Sequence, residues 1–501
     1  MEGTGAAGPH VRITSGRVRG RTEDGLAVFR GIPFGRPPAG ALRLAAPVTV
    51  APWDGVRDAL AFGPAPPQSG MLGTPADRDG HEDWLTLNVW SPDRGDARLP
   101  VMVWIQGGGY VYGWSGDPLF DGATLARDGV VVVTFNYRVG AEGFAHVPGA
   151  PANRGLLDQM AALRWVQENI TAFGGDPGRV TVFGESAGAG SIAALMAMPT
   201  ACGLFRRAIA QSVAGLYFTA DLAADIASAV ASRLGVPCSA RDLAQQPPSA
   251  LRDAADEVAD TMAAESRWGE AAYVQSPFAP VVDGDLLPAA PWQALAGGAA
   301  SGVELVVGHT RDEYRLFMVA RNLLGRITPQ ETEAALRLLA PDADAYRAAH
   351  PAAGTERLYE LVHSDRLFRM PSLHLAEAQH RHAPTHLYEL AWKAPGMGGE
   401  VLGACHGLGL PLTFGNLTAG AAAFLIGHDP PVEAARLASR VRGAWTAFAA
   451  TGNPGWPAYD ELERWTWIID TEPAVATYPE EASRRLWADR PLAPVGLAAA
   501  G

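Results

Sequence analysis

The order of apolar and polar positions divides the chain into alternating strand-like and helix-like stretches. Residues 11–21 and 26–35 are two β-leaning runs joined at Glu23-Asp24-Gly25, and the Asp-Gly pair predicts a hairpin turn and an antiparallel start. The Pro- and Gly-rich stretch that follows, as far as Asp79, has no period and reads as surface loop. Leu85 to Trp90 alternates like a strand with one face buried. Residues 101–105 and 130–135 are apolar throughout, as strands covered on both faces are. Leu156, Met160, Leu163, Val166 and Ile170 recur at three- and four-residue spacing and predict an amphipathic helix that ends at Gly174-Gly-Asp-Pro177. Another β-branched run, Arg179 to Gly184, comes next. Strand, helix and strand in this order imply a mostly parallel sheet with helices on its faces, an α/β fold.

Beyond residue 190 the texture becomes helical. Leu222, Ile226, Val230 and Leu234 form a stripe, Thr328-Pro-Gln-Glu331 is a capping box, and residues 355–379 predict more helix. Strand-like runs at 303–308 and 385–390 interrupt these helices, and a helix at 432–450 and a strand at 465–470 close the chain. With no repeat and no linker, the expectation is a short disordered tail (1–10) and a single domain (11–501). Cap-like helical regions at about 215–280 and 315–380 would lie over the sheet's C-terminal edge.

Composition narrows the chemistry. The 501 residues carry a net charge of −13, which argues against a nucleic-acid groove or an anionic membrane surface. The N-terminus lacks the basic head and apolar core of a secretory signal, and no apolar run approaches a membrane span. Three scattered cysteines, Cys202, Cys238 and Cys405, suggest neither a disulfide framework nor a zinc site, so a cytoplasmic location is expected. Lys393 is the only lysine, which excludes a Walker-type phosphate loop and a Ser-x-x-Lys mechanism. No cofactor or metal is implied: His380-Arg-His382 has no partners nearby to complete a ligand set.

The candidate chemistry sits at strand ends. Gly184-x-Ser186-x-Gly188, between a strand and a helix, matches the sharp turn that exposes a nucleophilic serine. Gln106-Gly107-Gly108-Gly109-Tyr110 follows a buried strand, and its glycines would let backbone N–H groups face an oxyanion. Of the 12 histidines, His406 stands apart in a small-residue loop beyond the strand ending at Leu390. Asp312 and Glu313, beyond the strand at 303–308, are both available as its acid. Serine, acid and histidine in that chain order can perform acyl transfer.

Taken with Phe29-Arg-Gly-Ile-Pro-Phe34, Glu82-Asp83, Asn136-Tyr137-Arg138, residues 153–159 and Phe173-Gly-Gly-Asp-Pro177, these motifs resemble the type-B carboxylesterases of the α/β-hydrolase fold, most of all their bacterial para-nitrobenzyl-esterase-like members. The resemblance implies a serine carboxylesterase acting on small-molecule esters with short-to-medium acyl chains, an amide, carbamate or lactone hydrolase with the same triad being the alternative and a catalytically silent binding module a remote one. It makes Ser186 the nucleophile, Glu313 rather than Asp312 the acid, His406 the base, and the N–H groups of Gly108, Gly109 and Ala187 the oxyanion hole. Tyr110, Phe278, Phe317 and Phe414 are expected pocket walls. A monomer or weak homodimer is expected. Three positions depart from the family pattern. Trp84 stands where secreted relatives have a disulfide cysteine, Gln106 replaces a common histidine or tyrosine, and Gly409 replaces an acidic residue. Residues 68–79 hold no tryptophan for a quaternary ammonium, which disfavours choline esters.

Overall fold

In the computed structural model, which describes residues 8–70, 82–95, 97–398, 401–490 and 492–498, Asp24 and Gly25 adopt φ of 47° and 83° and turn the chain between Glu23 and Leu26. The predicted hairpin is present, but residues 11–21 are not one strand. Thr14 and Ser15 make an earlier turn, so His10–Ile13 and Gly16–Arg19 fold onto each other and join Val56–Asp58 in a separate 3-stranded sheet. His10 is therefore already in a strand, while residues 1–7 of the expected tail lie outside the described residues, as do residues 71–81 of the long loop.

Among the described residues, the main sheet has 11 strands. In chain order they are β1 Arg21–Glu23, β2 Leu26–Pro33, β3 Thr86–Ser91, β4 Leu99–Ile105, β5 Val131–Phe135, β6 Gly175–Glu185, β7 Arg207–Gln211, β8 Glu304–Thr310, β9 Thr385–Leu390, β10 Trp465–Ile469 and β11 Ala474–Thr477. Their order across the sheet is β1-β2-β3-β5-β4-β6-β7-β8-β9-β10-β11. The block from β5 to β10 is parallel, with antiparallel strands on both flanks. The apolar runs are continuous because each strand feeds two cores. Val101, Val103 and Ile105 enter one core, and Met102 and Trp104 enter the other. Leu305 and Val307 are likewise divided from Val306. β3 is also buried at every position, so its alternation separates an apolar face, Leu87 and Val89, from a buried one on which Asn88 hydrogen-bonds Ser115 and Thr134, rather than core from solvent.

Helices α1 (Arg154–Asn169), α2 (Ala187–Ala197), α3 (Thr355–Ser364), α4 (Met370–Gln379) and α5 (Val432–Thr451) follow the predicted pattern, with one exception. Residues 355–379 are interrupted by a π-helical turn, Asp365–Arg369, between α3 and α4. α1, α2 and α4 pack into the first core and α5 into the second, so both faces of the sheet are covered. The capping box at Thr328 forms as predicted. Among the described residues, no helix is long and apolar enough to cross a membrane.

The frame contains a buried ion pair. Arg138, just beyond β5, meets Asp158 of α1 through Nε and Nη2 at 2.8 and 2.7 Å, with both side chains fully buried. Removing one partner strands the other charge, at a cost of about 3–5 kcal/mol. Asp158→Ala is therefore expected to lower unfolding free energy by about that amount in urea melts, far more than an exposed Asp→Ala change would.

Candidate active site

Parallel pairing brings the strand ends level. Ile105 of β4 lies opposite Gly184 of β6, Glu185 opposite Gln211 of β7, and Gln211 opposite Gly308 of β8. Ser186 follows β6 at once, with φ 56° and ψ −123°, a conformation in which L-residues are strained. Its N–H donates to the Gln211 carbonyl at 2.9 Å, its own carbonyl accepts from Gly190 N–H at 2.9 Å, and α2 starts at the next residue. The flanking glycines are required by close approach: a Cβ at Gly188 would stand 2.0 Å from the Ile105 carbonyl oxygen, and one at Gly184 2.7 Å from it.

The glycine loop lies against this turn. A Cβ at Gly107 would come within 3.2 Å of Ser186 Cβ. Tyr137 Oη donates to the Gln106 carbonyl at 2.7 Å, and Gln68 makes two hydrogen bonds to the backbone of Gly113, so the loop is held at both ends. Gly108 and Gly109 have φ of 111° and 59°. Among the described residues, their N–H groups donate to no protein acceptor. The Ala187 N–H, at the first position of α2, has no intrahelical partner either.

His406 reaches the site because its loop is tied to the segment after β8. Asp312 N–H donates to the Ala404 carbonyl at 2.9 Å, Ala404 N–H donates to Asp312 Oδ2 at 3.0 Å, and His406 N–H donates to the Glu313 carbonyl at 3.2 Å. Asp312 is thus the latch, also paired with Arg357 at 3.0 Å. Glu313, fully buried, faces the imidazole: its Oε2 lies 2.6 Å from His406 Nδ1. Oε1 accepts from Thr310 N–H at 2.8 Å, and Ser212 also hydrogen-bonds the carboxylate. The other ring nitrogen, Nε2, lies 3.1 Å from Glu185 Oε1, within ion-pair distance but without hydrogen-bond geometry.

The electrostatics follow from this packing. Burial acts to raise the Glu313 pKa, but His406 and the hydrogen bonds to its oxygens hold it below the ordinary value. Burial acts to lower that of His406, yet Glu185 and Glu313 hold the imidazole above it. Glu185 is pushed up to about 7 by burial and by Glu313, against the pull of His406. Among the described residues, no group of three His, Cys, Asp or Glu is placed to hold a metal.

The expected pocket walls divide. Phe317 does face the site, with its ring centroid 5.3 Å from that of His406. Phe278 lines a cavity of about 350 Å³ shared with Val111 of the glycine loop and Leu251. Tyr110 is corrected: its positive φ of 64° turns the ring into the core, 4.9 Å from Phe144 and beneath Gly190. Phe414 is corrected as well, being fully buried in the second core against Trp104, Phe120 and Phe183. Sequence reasoning missed Phe368, whose ring centroid lies 4.2 Å from that of His406, and also Ser212 and Glu185. Glu185 adjoins the serine in the motif; Phe368 is placed by the π turn, which leaves no periodic signal.

Comparison with known proteins agrees with this architecture. The pattern of the carboxylesterase family matches residues 7–487. The chain is 40% identical over 499 residues to the para-nitrobenzyl esterase of Bacillus subtilis (strain 168), covering 95% of this chain and 98% of that protein. It is 34% identical to the liver carboxylesterase of Sus scrofa over 97% of this chain and 94% of that one. A solved PNB esterase structure superposes with a TM-score of 0.84 at 38% identity, covering 95% of this chain and 99% of the other. A Geobacillus stearothermophilus carboxylesterase superposes with a TM-score of 0.83 at 34% identity and the same coverage. The fold is that of the α/β-hydrolases, and the chain belongs to the carboxylesterase family of serine enzymes that hydrolyse carboxylic esters.

Proposed function

We propose that Ser186, His406 and Glu313 carry out ester hydrolysis in two acyl-transfer steps. The observation that carries this reading is the short contact between His406 Nδ1 and the buried Glu313, which turns Nε2 towards the strand end bearing Ser186. His406 accepts the serine proton as Oγ attacks the ester carbonyl, then returns it to the departing alcohol. Water repeats the sequence on the acyl-enzyme, with His406 as base again. Glu313 fixes the tautomer with Nδ1 protonated and stabilises the imidazolium as it forms. The unpaired N–H groups of Gly108, Gly109 and Ala187 hold the oxyanion.

The substrate is a small carboxylic ester, with a short-to-medium acyl chain as the proposed preference. Phe317 supplies an apolar wall beside the imidazole. A cytoplasmic location is proposed from the three cysteines, all free thiols. The helical segments after β7 and β8 are proposed as the cover over the site, with Phe317 and Phe368 at its inner surface.

Three outcomes test the reading. Ser186→Ala should abolish hydrolysis of p-nitrophenyl acetate while leaving the thermal melt within a few degrees of wild type; hydrolysis that survives the change would refute it. Gly108→Ala should lower kcat by about 100- to 1,000-fold, the cost of one oxyanion donor. A Cβ there would meet the Tyr112 carbonyl oxygen at 2.1 Å and displace the N–H. Third, only neutral imidazole can take the serine proton, and the neighbouring carboxylates favour the charged form. The acid limb of kcat/KM should therefore fall above the ordinary histidine value of 6.5. Glu185→Gln, which removes one of those charges, should move that limb to lower pH.

A further inference from the structure

Three buried polar atoms at adjacent strand ends have no partner among the described residues: Glu185 Oε1 at the end of β6, Gln211 Nε2 on β7 and Thr310 Oγ1 on β8. Their residues are 6%, 3% and 4% exposed. All three line one void with room for a single water-sized sphere, about 10 Å³. The strand register that assembles the active site also brings them together, since Glu185 lies level with Gln211 and Gln211 with Gly308. Gly409 forms another wall. A Cβ there would stand 3.5 Å from Gln211 Oε1 and 4.0 Å from Leu390, so a side chain at 409 would project into open space.

A buried polar atom left unpaired gives up its hydration with no bond in exchange, so three around one void call for a hydrogen-bonding occupant. A void of about 10–15 Å³ holds one water, which needs two to four polar partners. The donor and acceptor types fit. An ionised carboxylate only accepts, an amide nitrogen only donates, and a hydroxyl does either. Thr413 Oγ1 donates to Gln211 Oε1 at 2.9 Å, which leaves Nε2 as the amide atom facing no protein partner.

We propose that one buried water fills this void, donating to Glu185 Oε1, accepting from Gln211 Nε2 and bonding Thr310 Oγ1, and that it is a positioning element holding Glu185 off His406 Nε2. This rests on the reading of His406 as the base. Glu185 Oε1 is already 3.1 Å from Nε2 without bonding it. A carboxyl group turned onto Nε2 would compete with Ser186 for the same nitrogen. The ionisable groups that face Glu185 are His406, Glu313, Tyr112, Tyr388 and Cys405. Of these, His406 is the cation that a charged Glu185 stabilises. A water that donates to Glu185 favours its charged form. Losing that water raises the Glu185 pKa, weakens the negative field at His406 and lowers the imidazole pKa.

The test pairs two substitutions at a backbone position free of positive φ. Gly409→Val displaces the water with methyl groups, whereas Gly409→Ser offers a hydroxyl in its place. Gly409→Val should move the acid limb of kcat/KM to lower pH by about one unit and reduce kcat more than KM. Gly409→Ser should keep the wild-type profile, and a high-resolution crystal structure of the wild type should show one water bonded to the three named atoms. Thr310→Val removes one partner at nearly constant volume and should give a smaller shift in the same direction, which keeps the test available if Gly409→Val does not fold. A dry void, or wild-type profiles for both Gly409→Val and Thr310→Val, would overturn the proposal. Neither result touches the role of Ser186, which its own alanine variant decides.

Discussion

A buried carboxylate bonded to an imidazole is the constraint around which the rest of the site is arranged. Glu313 is out of contact with solvent, and its oxygens are met by His406, Thr310 and Ser212. A carboxylate left bare at that depth would carry a desolvation penalty of several kcal/mol, so its partners have to be in place together. Those partners come from different strands. Thr310 ends β8, Ser212 follows β7, and His406 arrives on a loop that Asp312 latches through the backbone of Ala404. The pair therefore depends on parallel register across the middle of the sheet, and the sheet in turn depends on cores buried on both faces. Through this chain of requirements, apolar strand runs at 101–105 and 303–308 determine where an imidazole nitrogen stands.

The same register explains why glycine is needed where it occurs. β4 and β6 end side by side, and α2 leaves so steeply that Gly184 and Gly188 both press on the Ile105 carbonyl. The glycine loop then has to pass beside Ser186, with Gly108 at a φ that L-residues rarely adopt. Tyr137 and Gln68 secure the two ends of that loop, and Arg138 next to Tyr137 joins β5 to α1 through Asp158. The Asn136-Tyr137-Arg138 motif thus braces from behind the loop whose N–H groups are proposed to hold the oxyanion.

Much of this was legible in the chain. The βαβ pattern, the strand-end positions of Ser186, Glu313 and His406, and the Asp24-Gly25 turn all rest on local signals that the fold preserves. Local spacing could not separate Asp312 from Glu313, because adjacent acids differ only in what the β8 exit points towards; the family resemblance chose Glu313, and the latch explains why Asp312 is also present. Tyr110 and Phe414 were misread for definite reasons. One sits at a positive φ that reverses its direction, and the other follows His406 closely in sequence but packs into the second core instead of the site. Phe368 was invisible, since a single π turn inside a helical stretch shifts the facing of every residue after it without changing composition. Residues 11–21 read as one strand because β-leaning residues flank the short Thr14-Ser15-Gly16 turn on both sides, and the Ser-Gly signal there is weaker than that of Asp24-Gly25.

The central claim is that Ser186 owes its reactivity to the Glu313–His406 pair, and the rate of its modification by an active-site phosphonate measures this directly. Mass-spectrometric peptide mapping should place the adduct on Ser186 alone in the wild-type protein. The labelling rate should rise with pH as the imidazole loses its proton, and it should fall by about 10,000-fold in Glu313→Gln, the scale set by loss of the orienting acid in such triads. An adduct on another residue, or a labelling rate unchanged in Glu313→Gln, would contradict the account.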